Sequence, residues 1–253
     1  MIRKYGWKPD IPDIRDFPYK VKRFRLKPIP SKIDLRETGL VPPIVDQGGI
    51  GSCVGNATAK VLQFCILKQK QKDIDFSRLF IYYQGRLMAG TENEDSGMYI
   101  RDAVKVANRD GVCDEKLWKY DTSQFKKKPS VKAYENATLH QALKYERVAR
   151  NHSDIGLRLA EGYPIVFGIS VYDSFESQEV ANTGIVPVPN GNAESLIGGH
   201  CVYMIGRDVY KKMYLCANSW GTDWGLKGFF WLPFQFIEDD NLSDDFWTIT
   251  VME

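Results

Sequence analysis

The sequence predicts an α+β fold, with a helical first half and a β-rich second half. After Cys53, and again in segments that begin near Ser77 and Tyr99, apolar side chains recur at the spacing of a helix face. From Ile165 onward, short apolar runs rich in branched and aromatic residues have the composition of buried strands. The pattern changes between about residues 135 and 150, which is where the two halves are expected to meet.

Four helices and five strands are predicted in chain order. The first helix follows Cys53, and its apolar face extends to Lys68. Ser77 is the expected N-cap of a second helix that runs to Leu87. A third helix ends before Gly111, and a fourth ends before Gly162, because glycine commonly follows a helix C-terminus. The third and fourth helices are predicted at 99–108 and 153–161. The five strands are predicted at 165–171, 201–205, 213–217, 229–232 and 247–251.

The composition is that of an ordinary globular protein of 253 residues, with 43% hydrophobic and 26% charged residues. A net charge of +2 gives no indication of a nucleic-acid or membrane partner. No run of 18 apolar residues occurs, so no transmembrane helix is expected. The composition therefore indicates neither a nucleic-acid nor a membrane partner, and the sequence does not indicate an oligomeric state.

The first 30 residues differ in charge from the rest of the chain. They contain nine Lys or Arg and three Asp residues, a net charge of +6, which leaves about −4 for the remainder. Five prolines prevent a long helix there, so an extended strap is expected. We divide the chain into an extension, 1–30, and a domain, 31–253, whose helical half covers about 45–140 and whose β-rich half covers about 141–253.

The five cysteines are Cys53, Cys65, Cys113, Cys201 and Cys216. Their number is odd and their spacing includes no closely spaced pair, so neither a metal site nor a disulfide framework is predicted. Free thiols are typical of a reducing compartment, and residues 1–20 lack the apolar segment of a secretory signal. A cytoplasmic location is expected, with secretion by another route as the alternative. No cofactor is expected.

Cys53 is the candidate nucleophile. It follows a glycine-rich turn, residues 47–52, at the start of the first predicted helix. A helix N-terminus carries partial positive charge and free N–H groups, both of which favour a thiolate. The small turn residues would let a substrate backbone approach closely. Taken alone, the residue is also compatible with an inert buried cysteine.

His200 is the candidate base, and Asn218 is the candidate residue that orients it. His200 follows two glycines and enters an apolar strand, whereas His140 and His152 lie in polar surroundings. A side-chain amide such as that of Asn218 can accept a hydrogen bond from an imidazole and hold one tautomer. Trp220 could cover that hydrogen bond from water. The alternatives are a core histidine and a packed Trp- and Gly-rich turn.

Gln47, six residues before Cys53, is the candidate oxyanion donor. Its side-chain N–H could stabilise a tetrahedral intermediate together with the backbone N–H of Cys53. The alternative is a polar turn residue without a catalytic role.

Together these motifs resemble the papain family of cysteine peptidases. The match comprises Gln47-Gly48, Gly51-Ser52-Cys53, Gly199-His200, and the segment from Asn218 to Gly228 that includes Ser219-Trp220-Gly221 and Trp224-Gly225. The resemblance implies a papain-like fold, in which a helical half packs against an antiparallel β-barrel-like half with the active-site cleft between them. It also implies endopeptidase activity through a Cys53 acyl-enzyme, with His200 as base and acid.

The resemblance further implies a set of substrate-binding residues. The segment Ser96-Gly97-Met98-Tyr99 falls where the family has a glycine that pairs with the substrate backbone and residues that line a specificity pocket. Gly199 and Trp220, which flank His200 and Asn218 in the sequence, complete this predicted set.

The chain departs from the usual family pattern in three respects. Val54 replaces the aromatic residue that usually follows the nucleophile, and Ile50 replaces a cysteine that is usually in a disulfide. The usual long helical propeptide is also absent. These departures indicate the short bacterial and viral branch of the family, which includes xylellain-like enzymes.

Two other functions are compatible with the same residues. An amidase or acyltransferase would pass the acyl group through the same Cys–His–Asn set, and a catalytically silent papain-like binding protein would not use the set at all. For residues 1–30 there are also two hypotheses. The strap could act in cis by crossing the cleft and inhibiting the enzyme, or it could pack on the far side of the domain.

Overall fold

A computed structural model of the chain describes residues 4–20, 28–191 and 193–253. The helices are α1 Cys53–Lys68, α2 Arg78–Met88, α3 Ile100–Arg109, α4 Val131–Ala137, α5 His152–Ala160, α6 Gln178–Thr183 and α7 Gln235–Glu238. The strands are β1 Trp7–Lys8, β2 Lys32–Asp34, β3 Met98–Tyr99, β4 Ala142–Arg147, β5 Ile165–Tyr172, β6 Leu196–Asp208, β7 Met213–Ala217, β8 Phe229–Pro233 and β9 Ser243–Met252. No helix within these ranges has the length and apolar character needed to cross a bilayer.

The four predicted helices correspond to α1, α2, α3 and α5, and the five predicted strands to β5–β9. Ser77 caps α2 as expected, since its hydroxyl accepts a hydrogen bond from the Phe80 N–H. Gly111 and Gly162 follow α3 and α5 with positive φ, which is the left-handed conformation expected there. Three helices, α4, α6 and α7, and four strands, β1–β4, were not predicted, because they are short or lack a regular apolar period.

The main sheet has seven strands, ordered β4-β9-β5-β6-β7-β8, with β2 paired to β6. All of its pairings are antiparallel. The last strand of the chain, β9, lies between β4 and β5, so the sheet is completed only when the C-terminus is in place. Among the described residues the strand order ends at β4 and at β8, so the sheet is open and the expected barrel-like half is barrel-like only in a loose sense.

Helix α1 forms the centre of the molecule. It contacts α2 and α3 on its helical side and β6 and β9 of the sheet on the other. All its residues from Cys53 to Ile66 are buried, because both layers cover it. Its N-terminus therefore lies where the helical layer and the sheet meet.

We use the name strap for residues 4–20. The strap contains one two-residue strand, one turn and no helix, which agrees with the extended conformation expected for it. It begins against the helical layer, where β1 pairs in parallel with β3. It then reaches the sheet, where the Tyr19 N–H donates to the Arg147 carbonyl at 2.8 Å. Residues 1–3 and 21–27 of the predicted extension lie outside the described residues.

Two of the four aromatic residues of the strap are buried, and a third, Tyr5, is half-buried. Trp7 and Tyr19 have exposed fractions of 8% and 9%, whereas Phe17 has 61%. Phe17 contacts Tyr145 at its ring edge and otherwise faces solvent. Trp7 and Tyr19 therefore attach the strap through burial, and Phe17 contributes little apolar burial.

Candidate active site

Cys53 is the first residue of α1 and is fully buried beneath the strap. Burial raises the pKa of its thiol to about 11, although backbone hydrogen bonds from Cys201 and Gly6 act to lower it. The thiolate expected at a helix N-terminus is therefore not favoured in this state, because the strap excludes water from the sulfur. Since Cys201 directly follows His200, this backbone contact also brings the His200 segment of β6 to the nucleophile.

His200 and Asn218 form a buried pair on β6 and in the loop after β7. His200 Nε2 and Asn218 Oδ1 are 2.8 Å apart. The same Oδ1 accepts a hydrogen bond from the Ser219 N–H at 2.8 Å, which identifies it as the amide oxygen. Nε2 therefore carries the hydrogen, and Nδ1 is the ring nitrogen that can exchange a proton with a substrate or a thiol.

Aromatic rings enclose this pair. The Trp220 ring lies 5.0 Å from the His200 ring, tilted by 32°, and Phe175 packs against Trp220 at 5.4 Å. Phe175 also stacks on Trp224 at 5.5 Å. These rings place the His200–Asn218 hydrogen bond in an apolar surrounding, where such a bond is stronger than in water.

The amide group of Gln47 is fixed by Ser219 and directed into the cleft. Its Oε1 accepts from Ser219 Oγ at 2.7 Å, and its backbone N–H donates to the Ser219 carbonyl at 2.8 Å. Its Nε2 then donates to the Ile50 carbonyl at 3.0 Å and to the Lys4 carbonyl of the strap at 3.1 Å. The predicted oxyanion donor thus already holds a peptide carbonyl oxygen.

A second hydrogen-bonded group supports the turn before Cys53. The Tyr120 hydroxyl donates to the Gln47 carbonyl at 2.8 Å and lies 2.5 Å from Ser52 Oγ. Asn56, one turn into α1, donates to the Ser52 carbonyl at 2.9 Å. No role was predicted from the sequence for Tyr120, Asn56 or Ser219. Only Ser219 carried a signal, its position beside Asn218.

The strap occupies the cleft beside the predicted substrate-binding residues. The Met98 N–H donates to the Gly6 carbonyl at 2.7 Å, and Tyr99 pairs in register with Lys8. A Cβ atom on Gly97 would lie 2.3 Å from the Gly6 oxygen, and one on Gly199 would lie 2.6 Å from the Trp7 oxygen. These two positions accept only glycine while the strap is bound, because any side chain would collide with its backbone.

Trp220 contacts the strap through Tyr5, whose ring is 6.4 Å away. The Tyr5 ring also lies 6.1 Å from the His200 ring, and its hydroxyl bonds to Glu176. The structure therefore brings all the predicted catalytic and substrate-binding residues to one cleft, and residues 4–8 of the strap fill it. Among the described residues, no group of three or more His, Cys, Asp or Glu side chains is arranged to hold a metal ion.

Comparison with known proteins bears on this site. The family model described as "Papain family cysteine protease" matches residues 29–238. The chain belongs to the papain family of cysteine proteases. An uncharacterized peptidase C1-like protein of Acanthamoeba polyphaga mimivirus is 40% identical to it, over 98% of this chain and 86% of that protein.

Structural similarity to members of the papain family extends over the whole chain. Xylellain, a cysteine protease from Xylella fastidiosa, superposes with a TM-score of 0.90 at 39% identity, covering 100% of this chain and 99% of that one. Procathepsin L of Felis catus is 27% identical over 79% of this chain, and the match spans 60% of that longer protein. The protein is thus a papain-like cysteine peptidase of the short branch that the sequence indicated.

Proposed function

We propose that the papain-like endopeptidase activity of this protein is carried by Cys53, His200, Asn218 and Gln47. The observation that carries the assignment is the Gln47 side chain, whose N–H is aimed at a peptide carbonyl beside the nucleophile. The buried His200–Asn218 pair supports it, because Cys201, the residue after His200, hydrogen-bonds to the Cys53 thiol. The substrate is the backbone of a protein or peptide.

The reaction begins when His200 Nδ1 takes the thiol proton of Cys53. The thiolate attacks the carbonyl carbon, a C–S bond forms, and the negative charge on the oxygen is stabilised by the Gln47 Nε2–H and the Cys53 N–H. His200 then returns the proton to the leaving nitrogen, and the C–N bond breaks to leave a thioester. Water attacks the thioester with His200 as base, which releases the carboxylic acid and restores the thiol.

Asn218 and Trp220 act on this sequence by holding His200. The Asn218 amide oxygen keeps the hydrogen on Nε2, so Nδ1 is the nitrogen presented for proton exchange. The Trp220 ring keeps water from that hydrogen bond. Both contributions position the base, and neither residue exchanges a proton itself.

We also propose that the strap inhibits the enzyme in cis. Its Lys4 carbonyl occupies the Gln47 N–H, and its Gly6 backbone hydrogen-bonds to the Cys53 sulfur. The nucleophile therefore meets a backbone N–H rather than a carbonyl carbon, and its pKa of about 11 keeps it protonated at neutral pH. Activity requires residues 4–8 to leave the cleft.

A reducing compartment is part of the proposal. All five cysteines are buried and unpaired, including the nucleophile. An oxidising environment would expose the Cys53 thiol to disulfide exchange whenever the strap leaves the cleft.

Labelling of the protein after displacement of the strap tests the catalytic assignment. An epoxide inhibitor of thiol proteases should then modify Cys53 at neutral pH under reducing conditions, and the His200→Ala variant should lose this modification because its thiol has no base. Cys65, which is buried inside α1, provides the control site in the same molecule and should stay unmodified. Equal labelling of Cys53 in both proteins would contradict the role of His200, and no labelling after the strap is displaced would favour a silent binding protein.

A further inference from the structure

Asn218 has a second polar group that the proposed mechanism does not use. Its Oδ1 accepts hydrogen bonds from the His200 ring and from the Ser219 N–H. Its Nδ2, which carries two hydrogens, is buried and has no hydrogen-bond partner among the described residues. A buried donor without a partner is costly, so this nitrogen indicates an interaction that the protein groups around it do not supply.

Tyr203 carries a second buried polar group of this kind. Its hydroxyl has no hydrogen-bond partner in the described part of the chain, and the residue is only 3% exposed. Tyr203 of β6 pairs in register with Ala217 of β7, the residue directly before Asn218, so Tyr203 and Asn218 lie on neighbouring strands. Burial raises the pKa of Tyr203, so the hydroxyl keeps its proton and is able both to donate and to accept.

Tyr203 and Asn218 both line a small cavity between α1 and the sheet. The cavity has a volume of about 10 Å³, which is close to the space that one water molecule needs. Ala57 of α1, Ala217 and the segment 44–45 supply apolar walls. The cavity therefore has room for one water molecule and two polar groups to bond it, and an ordered buried water requires at least two such partners.

The other amide, hydroxyl and ammonium groups that line the cavity are bonded elsewhere. Asn56 donates to the carbonyl four residues earlier at 2.9 Å, and Ser219 donates its hydroxyl to Gln47 at 2.7 Å. The Lys60 ammonium donates to Asp75 at 2.7 Å. Because Asp75 compensates the charge of Lys60, the cavity offers no net charge to an ion, and its expected occupant is neutral water.

We propose that Tyr203 is a positioning residue for the catalytic base, acting through one water molecule that accepts from Asn218 Nδ2 and bonds to the Tyr203 hydroxyl. The proposal rests on the peptidase function proposed above, since it assigns a support for the His200–Asn218 pair. The side-chain amide is planar, so a hydrogen bond at Nδ2 also fixes Oδ1 opposite His200 Nε2. Without that bond the amide rotates more freely, and it stabilises the protonated form of His200 less well.

The test is the Tyr203→Phe substitution in the full-length protein, which removes the hydroxyl and keeps the ring. The kcat and KM values for a peptide substrate are measured over a range of pH, with active sites titrated. The ratio of the variant kcat to the wild-type kcat is compared, because the effect of pH on strap docking cancels in this ratio. We expect kcat to fall by about three- to tenfold, the usual effect of losing one buried hydrogen bond. KM should stay unchanged, since no residue of the strap, which fills the cleft, lines this cavity.

The pH dependence distinguishes positioning from a purely structural role. If Asn218 is held less firmly, the thiolate–imidazolium pair loses the His200 proton at a lower pH. The ratio of kcat values should therefore fall further as the pH rises above neutral. A structural role would lower the amount of active enzyme, for which the titration corrects, and would not produce this trend.

Tyr214→Phe is the matched control. Tyr214 is a buried tyrosine on the neighbouring strand β7, and its hydroxyl lies 2.6 Å from His152 Nδ1 rather than in the cavity. Its kcat and pH profile should match those of the wild type. A kcat for Tyr203→Phe that equals the wild-type value at every pH, or a loss without the pH trend, would overturn the positioning proposal and leave the peptidase function standing. Absence of cleavage by wild type, even after the strap is displaced, would overturn the peptidase function and the positioning proposal with it.

A high-resolution crystal structure of the wild-type protein provides a second measurement if Tyr203→Phe fails to fold. Density for a water molecule within about 3.2 Å of both Asn218 Nδ2 and the Tyr203 hydroxyl would support the proposal. A dry cavity, or a direct hydrogen bond between the two side chains, would contradict it.

Discussion

Gln47 and His200 each have one polar group bonded to a neighbouring side chain and another available to a bound peptide or thiol. Gln47 commits its oxygen to Ser219 and presents its N–H, and His200 commits Nε2 to Asn218 and leaves Nδ1 for proton exchange. The motifs predicted these side chains because their chemistry requires those residue types. The neighbours that fix them, Ser219 and Tyr120, were not predicted, because their roles arise from contacts between distant segments.

At this scale we predict the effect of removing the oxyanion donor. Gln47→Ala should lower kcat by about 10²–10³-fold, because one hydrogen bond to the developing oxyanion is lost. Ser219→Ala should lower kcat by a smaller factor, since the Gln47 amide stays present but loses its Oγ contact. The measurement is kcat for cleavage of a peptide substrate, calculated from the concentration of active sites that a titration determines. The exposed Gln178→Ala variant is the control and should match wild type. A wild-type kcat in Gln47→Ala would remove Gln47 from the mechanism.

Among the elements, the strap and the segment around β3 determine whether the cleft is accessible. The strap approaches so closely that a Cβ atom on Gly6 would lie 1.7 Å from the Gly51 carbonyl oxygen. Its Gly6 carbonyl also accepts a hydrogen bond from the Met98 N–H, in the segment that the family resemblance assigns to substrate binding. The sequence predicted an extended basic segment here, but charge and proline content could not distinguish the cleft from the far side of the domain.

The close approach at Gly6 gives a prediction for the strap. Gly6→Ala should displace residues 4–8 from the cleft, because the added methyl group collides with rigid backbone. The full-length variant should therefore cleave a peptide substrate faster than wild type. The rate should rise roughly tenfold for each 1.4 kcal/mol by which the substitution weakens the free energy of strap docking. Gly191→Ala, where nothing lies within 4 Å of the added atom, controls for the substitution itself. Equal basal rates in Gly6→Ala and wild type, with both folded, would exclude inhibition by this segment.

In the whole molecule, a network of buried and half-buried charged groups joins the strap to β4 and β9 of the sheet. Asp10 of the strap accepts from the Trp247 indole at 3.0 Å, and its N–H donates to Asp245 at 2.7 Å. Arg147 of β4 pairs with Asp245 at 2.8 Å and reaches Asp10 at 3.4 Å. Burial, followed by the nearby charge of Asp245, raises the pKa of Asp10 to about 7.

This network predicts how strap docking depends on pH. Because the pKa of Asp10 is about 7 when docked and 3.8 ordinarily, the docked state binds its proton more tightly. The resulting stabilisation is complete below the ordinary value and is lost as the pH rises through about 7. The thermal midpoint of the inactive Cys53→Ala protein should therefore be a few degrees higher near pH 5.5 than near pH 8.

The matched variants of that protein are Asp10→Ala and Asp13→Ala. Asp10→Ala should flatten the dependence of the thermal midpoint on pH, whereas Asp13→Ala should retain it. Asp13 is the suitable control because Arg15, its neighbour on the same exposed turn, holds its pKa well below this range. The same slope in Asp10→Ala and wild type would assign the pH dependence to other groups.

The sequence by itself determined the order of the main helices and strands (α1, α2, α3, α5 and β5–β9), the family and the residue types of the catalytic set. Periodic side chains, glycine turns and short motifs are local, and a single sequence displays them directly. It could not place α4 or β4, which lack a local signature, or the hydrogen bonds by which Ser219 and Tyr120 hold Gln47, which join segments far apart in the chain.

Only the tertiary structure decided that the strap lies in the cleft, that burial there raises the pKa of the nucleophile, and that Asp95 pairs with Lys4 of the strap. These properties depend on distances between segments that are far apart in the chain, such as Lys4 and Asp95 or Gly6 and Met98. The local sequence of Cys53, at a helix N-terminus, favours a thiolate. Burial under the strap, which depends on those distances, instead raises the pKa of the thiol.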